Sequence, residues 1–360
     1  MSAPEILGQR AGAAILERRD ALAAALVALE FAAHPELEQR YGAIARAKSL
    51  QDAGYHLAYL AEAVGNDDPL LFADYVAWAK VMLARRGVLA TDLAFHLECM
   101  RDALAEILPA ELCSPARDMI DHALQRLPEM PEQLDSLLAP DQPHALLAQQ
   151  YLQALLRGER HVASTLILDA ARRGIPVKEI YLNVFQRAQR EIGRLWQVNQ
   201  ISVAQEHYCT AATQLIMSQL YPYIFSGEKT AGAFVATCVA GDLHEIGIRM
   251  VADFFEMSGW DTFYLGASTP DASVVQTLIE RKAVALGISA TITYHLHGVQ
   301  QLIETVRATP ACADTVILVG GYPFNLSPGL WRSIGADGWS QDAAGAIELA
   351  ATLAARRRGG

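Results

Sequence analysis

An aspartate and a histidine stand two residues apart where a predicted strand ends. The apolar run 234–239 leads into the loop 241–247, with the sequence GDLHEIG, so Asp242 and His244 lie on a strand-to-helix loop. A histidine that binds a metal through one ring nitrogen needs an acceptor to orient its other N–H, and a carboxylate supplies one. The pair predicts that His244 is an axial metal ligand oriented by Asp242, with Gly247 leaving room for a bulky group. A lone Asp-x-His pair also fits a local hydrogen bond.

Polar and small residues follow two further predicted strands. Ser289 and Thr291 come after one of them, and Gly320 and Gly321 after the next. In a parallel sheet these strand ends share an edge with the His244 loop, and ligands of such sheets bind at that edge. The hydroxyl pair and the surface without side chains predict a deep channel beside His244. Taken alone, a Gly-Gly pair is usually a turn.

A third set of residues that could bind a ligand comprises Trp196, Glu206 and His207. One predicted helix ends near Trp196, and the next begins at Ser202, where Gln205 three residues later indicates a capping box. The three side chains therefore project from one end of neighbouring helices and are placed to cover one ligand. The indole offers flat apolar area and the carboxylate accepts hydrogen bonds. The alternative is that Trp196 is helical core and Glu206 a solvated charge at a helix start.

Helical periodicity dominates the first two thirds of the chain. Apolar residues recur every three and four positions, which predicts about six helices in an all-helical unit of roughly globin size at 1–127. Clustered prolines predict a linker at 128–143. Four further helical patterns with short connections predict an antiparallel four-helix bundle within 144–228.

The period changes after Gly232, because short apolar runs then alternate with helical segments. This pattern predicts a flavodoxin-like α/β domain at 229–360 with a parallel sheet. Its strands are expected at 234–239, 262–265, 283–288, 315–319 and 337–339. The predicted fold class is therefore multidomain α and α/β.

Composition argues against several classes of function. A formal charge of −11 and a pI near 5.4 oppose direct binding to nucleic acid. Apolar stretches are too short for a membrane span, no secretion signal is evident, and five cysteines are irregularly spaced. We therefore expect a soluble, cytoplasmic protein without membrane contact. His244-Glu245 lacks the second histidine of a zinc protease, no G-x-G-x-x-G is present, and no nucleophile, base and orienter are grouped, so we expect no enzyme.

The loop D-x-H-x-x-G, followed by S-x-T in place of the commoner S-x-L and then by G-G, resembles the cobalamin-binding domain over about residues 230–355. The resemblance implies that His244 replaces the cofactor's own benzimidazole beneath cobalt and that Asp242 orients it. It also implies that the displaced nucleotide tail of cobalamin runs along Ser289, Thr291, Gly320 and Gly321.

The spacing W-x9-E-H, formed by Trp196, Glu206 and His207, resembles the adenosylcobalamin-dependent photoreceptors of the CarH type. This resemblance implies a bundle over the adenosyl group, cleavage of the cobalt–carbon bond by light, and a homo-oligomer whose assembly changes to signal to a downstream protein. Gln197 departs from the family, which has there a histidine that captures cobalt after illumination. Three alternatives follow: His207 takes that role, water takes the site, or the adduct is less durable. The helical N-terminus replaces a DNA-binding module, so the output must differ.

The N-terminal helical unit is similar in architecture to that of the photocobilins, in which a globin-like domain binds biliverdin close to the corrinoid. The resemblance implies a bilin between aromatic walls and cationic partners. The candidates to contact it are His56, Tyr59, Trp78, Arg85 and His96. Each of them also fits a structural role, since a lone histidine on an apolar helix is more often a core or rim residue.

Two other classes share these features. A corrinoid methyl-carrier protein of a methyltransferase system has the same bundle, D-x-H-x-x-G loop and G-G turn, with an accessible upper face. The small subunit of an adenosylcobalamin mutase needs a partner barrel over cobalt. The sequence favours the light sensor, because Trp196, Glu206 and His207 match an adenosyl group and the extra N-terminal unit has no obvious place in a methyl carrier.

Overall fold

The computed structural model describes residues 3–225 and 228–358 of the 360-residue chain. The chain divides into two compact units, which are Met1–Glu132 and Gln133–Gly360. The predicted combination of a helical N-terminal region with a C-terminal parallel α/β domain is confirmed. Over the described ranges, no helix is long and apolar enough to cross a membrane.

Seven α-helices form the described part of the first unit, where about six were predicted. The break at Arg18 has neither glycine nor proline, so the sequence gives no signal for it. The predicted break before Pro69 is present, and Asp68 caps the next helix by accepting a hydrogen bond from the Leu70 N–H. The globin-like character of this unit stays a prediction. The helices are α1 (Ala3–Glu17), α2 (Arg19–Ala33), α3 (Glu36–Tyr41), α4 (Ala45–Gly65), α5 (Pro69–Ala84), α6 (Ala90–Ile107) and α7 (Ala110–Arg126).

A second helical region opens the second unit and is called the middle helices below. Ser202 and Gln205 form the predicted capping box: the Ser202 hydroxyl accepts the Gln205 N–H at 3.2 Å, and the Gln205 side chain accepts the Ser202 N–H at 3.0 Å. Between α10 and α11 the helix continues as a π-helical turn, Tyr181–Phe185. The middle helices are α8 (Ala145–Leu156), α9 (Arg160–Arg172), α10 (Val177–Ile180), α11 (Gln186–Gln197), α12 (Val203–Gln219) and α13 (Tyr221–Ile224).

The backbone before the middle helices is held against α11. The Glu191 carboxylate accepts the Ser136 hydroxyl at 3.0 Å and the Leu137 N–H at 2.8 Å. Arg194 donates to Glu191 at 2.7 Å and to the Leu134 carbonyl at 3.1 Å. Part of the segment predicted as a linker is therefore fixed to the helix that carries Trp196.

The C-terminal domain is a five-stranded parallel sheet with strand order β2-β1-β3-β4-β5, the order of flavodoxin-like folds. All five predicted strands are present, with ends moved by at most two residues. The strands are β1 (Gly232–Cys238), β2 (Trp260–Gly266), β3 (Ala285–Ser289), β4 (Val316–Gly320) and β5 (Gly338–Trp339). The helices are α14 (Ile246–Glu256), α15 (Asp271–Arg281), α16 (Leu296–Ala308), α17 (Tyr322–Leu326), α18 (Leu330–Ser333) and α19 (Ala343–Arg358).

The register of the sheet brings three strand ends side by side. Cys238 of β1 pairs with Ser289 of β3, and Ser289 pairs with Gly320 of β4. The loops that follow these strands therefore leave the same edge of the sheet. The His244 loop, the Thr291 loop and the Gly321 turn are neighbours for this reason.

Helix α14 follows the His244 loop directly and packs on two partners. Met250 and Phe254 belong to the hydrophobic cluster of the middle helices, whereas Ile248 and Phe255 belong to the cluster under the sheet. Burial of each such side chain stabilises the fold by about 1.5–3 kcal/mol. The start of α14 is thus fixed relative to the sheet and to the middle helices.

Candidate functional site

Asp242 and His244 form the predicted pair. Asp242 is only 1% exposed, and its Oδ1 accepts hydrogen bonds from the His244 Nδ1–H at 2.8 Å and from the His244 backbone N–H at 2.9 Å. Its Oδ2 accepts the Thr291 backbone N–H at 2.6 Å. The His244 side chain is 54% exposed. The ring is therefore held through Nδ1, and Nε2 remains as the nitrogen for a ligand.

Asp242 and His244 shift each other's pKa in opposite directions. Burial raises the pKa of Asp242, but hydrogen bonds from His244 and Thr291 outweigh burial and hold the pKa below its ordinary value. The hydrogen bond to Asp242 raises the pKa of His244 against the effect of burial, and the charges of Asp242 and Glu206 add to the rise. The carboxylate thus stays ionised and makes Nε2 more basic.

The residues predicted to line a channel lie on the same edge. Ser289 is buried at the end of β3, and Thr291 contributes its backbone N–H to Asp242.

A side chain on Gly320 would meet no atom within 4 Å, so the space beside it is open. Gly321 has a φ of +108°, and a Cβ there would lie 2.0 Å from the Ala290 carbonyl oxygen, which only glycine permits. Gly247 also faces open space.

Several residues at this site were missed by sequence reasoning. Ser268 stands on the loop after β2, accepts the Gly241 N–H at 3.0 Å and donates its own N–H to the Asp242 carbonyl at 3.1 Å. The His295 ring lies against Gly241, 3.1 Å from where a Cβ would stand. Leu243 is 73% exposed, the highest value among the exposed large apolar residues in the described part of the chain. Its position between Asp242 and His244 was the signal that could have drawn attention to it.

Glu245 was missed for another reason, because its partners lie far away in the sequence. Its Oε1 accepts the Gln214 side-chain N–H at 2.7 Å. Its Oε2 accepts the Tyr264 hydroxyl at 2.6 Å and the Ala267 N–H at 3.1 Å. Burial and the Glu245 carboxylate raise the pKa of Tyr264, so its hydroxyl remains a donor.

Trp196, Glu206 and His207 lie at one end of the middle helices, as predicted. Trp196 is half-buried near the end of α11, while Glu206 is half-buried in the first turn of α12. The Thr210 hydroxyl donates to Glu206 at 2.8 Å, and Nε2 of the exposed His207 lies 3.5 Å from a Glu206 oxygen. The charge of Glu206 adds to the rise in the pKa of His244, and Gln214, two turns further along α12, donates to Glu245 of the His244 loop.

Four of the five residues predicted to contact a bilin gather in the first unit around Tyr75. Tyr59 stacks on Tyr75 with ring centroids 3.6 Å apart, and Trp78 is stacked with it at 6.2 Å. Buried His56 is hydrogen-bonded to Tyr75 at 2.8 Å, and its ring contacts that of His96. The fifth residue, Arg85, is exposed at the end of α5 and is not part of this group. Binding of a bilin stays a prediction.

Two segments of the second unit match family models. Residues 232–348 match a model described as a B12 binding domain, and residues 147–221 match another model of the same description. Together with the Asp242–His244 site, these matches define the class: the chain is a cobalamin-binding protein.

The similar proteins are named as corrinoid proteins. The chain is 26% identical over 188 residues to dimethylamine corrinoid protein 3 of Methanosarcina acetivorans, which covers 52% of this chain and 87% of that protein. It is 25% identical over 209 residues to a corrinoid protein of Desulfitobacterium hafniense, covering 57% of this chain and 95% of the relative. The structure of the Methanosarcina barkeri monomethylamine corrinoid protein superposes with a TM-score of 0.53 at 22% identity, over 59% of this chain and 100% of the other. This last likeness shows a shared fold.

The prediction that this chain is a light sensor is wrong. The two sequence relatives are named as corrinoid proteins, one of them for dimethylamine, which is the class of the alternative interpretation and not that of photoreceptors. The spacing of Trp196, Glu206 and His207 misled because it describes side chains that cover a ligand without identifying the ligand. Cobalamin binding is confirmed, whereas an adenosyl group, biliverdin and light-dependent assembly find no support in these relatives.

Proposed function

We propose that this chain is a corrinoid methyl-carrier protein, which presents cobalamin to partner methyltransferases and does not itself catalyse the transfer. The observation that carries the proposal is the geometry of His244, an exposed imidazole whose Nδ1 is held by a buried carboxylate. It is supported by the relatives named as dimethylamine and monomethylamine corrinoid proteins.

The residues of the site fit cobalamin. Nε2 of His244 would bind cobalt, and the exposed Leu243 beside it would offer an apolar contact to the corrinoid. The open space beside Gly320, next to Ser289 in the sheet register, would take the displaced nucleotide tail. When bound, cobalamin supplies a cobalt centre that takes up and releases a methyl group.

The role of Asp242 in this proposal is to fix one tautomer of His244. Because its Oδ1 accepts the Nδ1–H, the proton stays on Nδ1 and the lone pair stays on Nε2. The same carboxylate stabilises the imidazolium that forms when Nε2 takes up a proton. His244 can therefore exchange a proton at Nε2 without turning its ring.

We interpret the middle helices as the predicted four-helix bundle, with Trp196, Glu206 and His207 above the upper face of the corrin. In a methyl carrier the upper ligand is small, so we propose a methyl group in place of the predicted adenosyl group. The partner is then a methyltransferase that gains access to this face. Biliverdin has no role in methyl transfer, and its binding remains a prediction about the first unit.

The test compares wild-type protein with His244→Ala after loading with methylcobalamin or adenosylcobalamin. We expect the wild type to prefer methylcobalamin and to give the spectrum of histidine-ligated cobalamin, and H244A to lose that spectrum. After light has cleaved the cobalt–carbon bond and titanium(III) citrate has reduced the cobalt to cobalt(I), methyl iodide should methylate it again with release of iodide, and the methylcobalamin spectrum should return over repeated cycles. Mass in solution should be the same in darkness and after green light.

Three results would overturn the proposal. The first is a strong preference for adenosylcobalamin together with a change in mass on illumination. The second is a failure to regain methylcobalamin in the cycling experiment. The third is a spectrum of H244A that equals that of the wild type, which would remove His244 as the lower ligand.

A further inference from the structure

Glu245 links three elements around the His244 loop. It stands directly after His244 and directly before α14. Its carboxylate accepts hydrogen bonds from Gln214 on α12, from Tyr264 on β2, and from the Ala267 N–H on the loop after β2. All three partners are donors, which suits an ionised carboxylate, because that group only accepts hydrogen bonds.

Glu245 belongs to a polar stripe along α14, formed by Glu245, Arg249 and Asp253. Their spacing of four residues places them on one side of the helix. Arg249 donates to the Ser218 hydroxyl at 2.6 Å, and Asp253 accepts the Tyr181 hydroxyl at 2.7 Å. Each member of the α14 stripe thus holds a side chain of the middle helices.

A matching polar stripe runs along α12, again at a spacing of four residues. It is formed by Glu206, Thr210, Gln214 and Ser218. Thr210 donates to Glu206 at 2.8 Å, while Gln214 and Ser218 bond to α14. The helix that holds Glu245 is therefore the helix that carries Glu206 and His207 two turns earlier.

We propose that Glu245 is a positioning residue that ties the His244 loop to α12. It thereby fixes the position of the cobalt ligand His244 relative to the helix that carries Glu206 and His207. This inference rests on the proposed role of His244 as the lower ligand. A displacement of α12, as when a partner reaches the upper face, then pulls on the His244 loop through Gln214 and Glu245. The link is made of hydrogen bonds at a half-buried position, and such bonds can be broken and remade.

Two variants distinguish loss of the Glu245–Gln214 hydrogen bond from general unfolding. Glu245→Ala removes all three hydrogen bonds, whereas Gln214→Met removes only the bond to α12 and leaves Glu245 with Tyr264 and Ala267. The matched controls are Glu304→Ala and Gln300→Met, which break another Gln–Glu pair at 2.9 Å on the exposed side of α16. If E245A does not fold by circular dichroism, Glu245→Gln and Q214M carry the test.

Each protein is titrated with hydroxocobalamin, and histidine ligation is measured from the visible spectrum and from nitrogen coupling in the electron paramagnetic resonance of the cobalt(II) form. Hydrogen exchange of residues 203–219 is recorded without and with hydroxocobalamin. We expect loading to slow exchange in wild type and controls. We expect Q214M to lose this effect and to bind less tightly, and E245A to lose roughly 10-fold in affinity with a smaller histidine-ligated fraction.

The inference is overturned if Q214M equals the wild type in cobalamin affinity, in histidine ligation and in hydrogen exchange. The hydrogen bond to α12 would then have no effect on the His244 loop. The H244A variant keeps the two proposals distinguishable. If H244A loses histidine ligation while E245A and Q214M retain it, the lower ligand stands and the link fails. If H244A itself retains ligation, the assignment of His244 fails.

Discussion

Asp242→Asn tests the centre of the site with a change of one atom. The wild-type carboxylate receives three donors, two from His244 on Oδ1 and one from Thr291 on Oδ2. An asparagine has one acceptor oxygen and an NH₂ group, so its better orientation keeps both His244 bonds and turns the NH₂ toward the Thr291 N–H. One buried donor then loses its partner, and the negative charge that makes His244 basic is lost.

The cost follows from the burial of this position, which is 1% exposed. A buried donor without a partner costs about 1–3 kcal/mol. This corresponds to a loss of about 5- to 150-fold in affinity, if the cost falls on the loop conformation that binds cobalamin. The range contains the 10- to 100-fold loss that is typical when the partner of a metal-binding histidine is removed.

The assay is a titration of D242N with hydroxocobalamin, read from the histidine-ligated spectrum and compared with Asp261→Asn, which changes an exposed aspartate in β2. Circular dichroism and urea unfolding of the protein without cobalamin check that the fold persists. If D242N binds within two-fold of the wild type and keeps the same spectrum, Asp242 does not orient the ligand, and the reasoning from its three hydrogen bonds is wrong.

Acid should weaken cobalamin binding, because cobalt needs the unprotonated Nε2 of His244 and Asp242 raises the pKa of that ring; affinity that is flat down to about pH 5 would exclude His244 as the ligand. Asp253→Asn should stabilise the protein at pH 7.5 by about 3 kcal/mol in urea unfolding, because burial raises the pKa of Asp253 from 3.8 to about 6 and its ionisation in the folded state is costly. This gain should shrink as pH falls through 6 toward 4, and a D253N protein less stable than wild type at pH 7.5 would mean that its ionic attractions outweigh burial. Glu30→Gln should destabilise the first unit at pH 7 by about 1–3 kcal/mol in thermal unfolding, since Glu30 is buried with His96 and Ser49. Hydrogen bonding with His96 and Ser49 overcomes burial and lowers the pKa of Glu30, so the wild-type advantage should be present above about pH 4.5 and vanish in stronger acid; an equal difference at pH 3 and pH 7 would contradict this.

Much of the architecture could be predicted from local patterns. The five strands and the capping box at Ser202 were predicted because hydrophobic period and helix-start chemistry are properties of neighbouring residues. Asp242 and His244 were predicted for the same reason, since a carboxylate two residues from a histidine reaches its ring from the same loop. The helix break at Arg18 was not predicted, because it lacks a local signal.

Function was harder to predict because one scaffold serves several functions. The spacing of Trp196, Glu206 and His207 was interpreted as a cover for an adenosyl group, and the relatives corrected that interpretation. A half-buried indole and a carboxylate in the first turn of a helix do not by themselves specify which ligand they would cover.

The sequence by itself determined the class of protein: D-x-H-x-x-G, S-x-T and G-G, each after a predicted strand, are enough to place a cobalamin at the edge of a parallel sheet. Only the tertiary structure decided how that edge is held. Glu245 meets Gln214, Tyr264 and Ala267 through residues 19 to 31 positions away in the chain, and Asp242 meets Thr291 across 49. Such contacts depend on strand register and helix packing, and no local pattern of residue types encodes them.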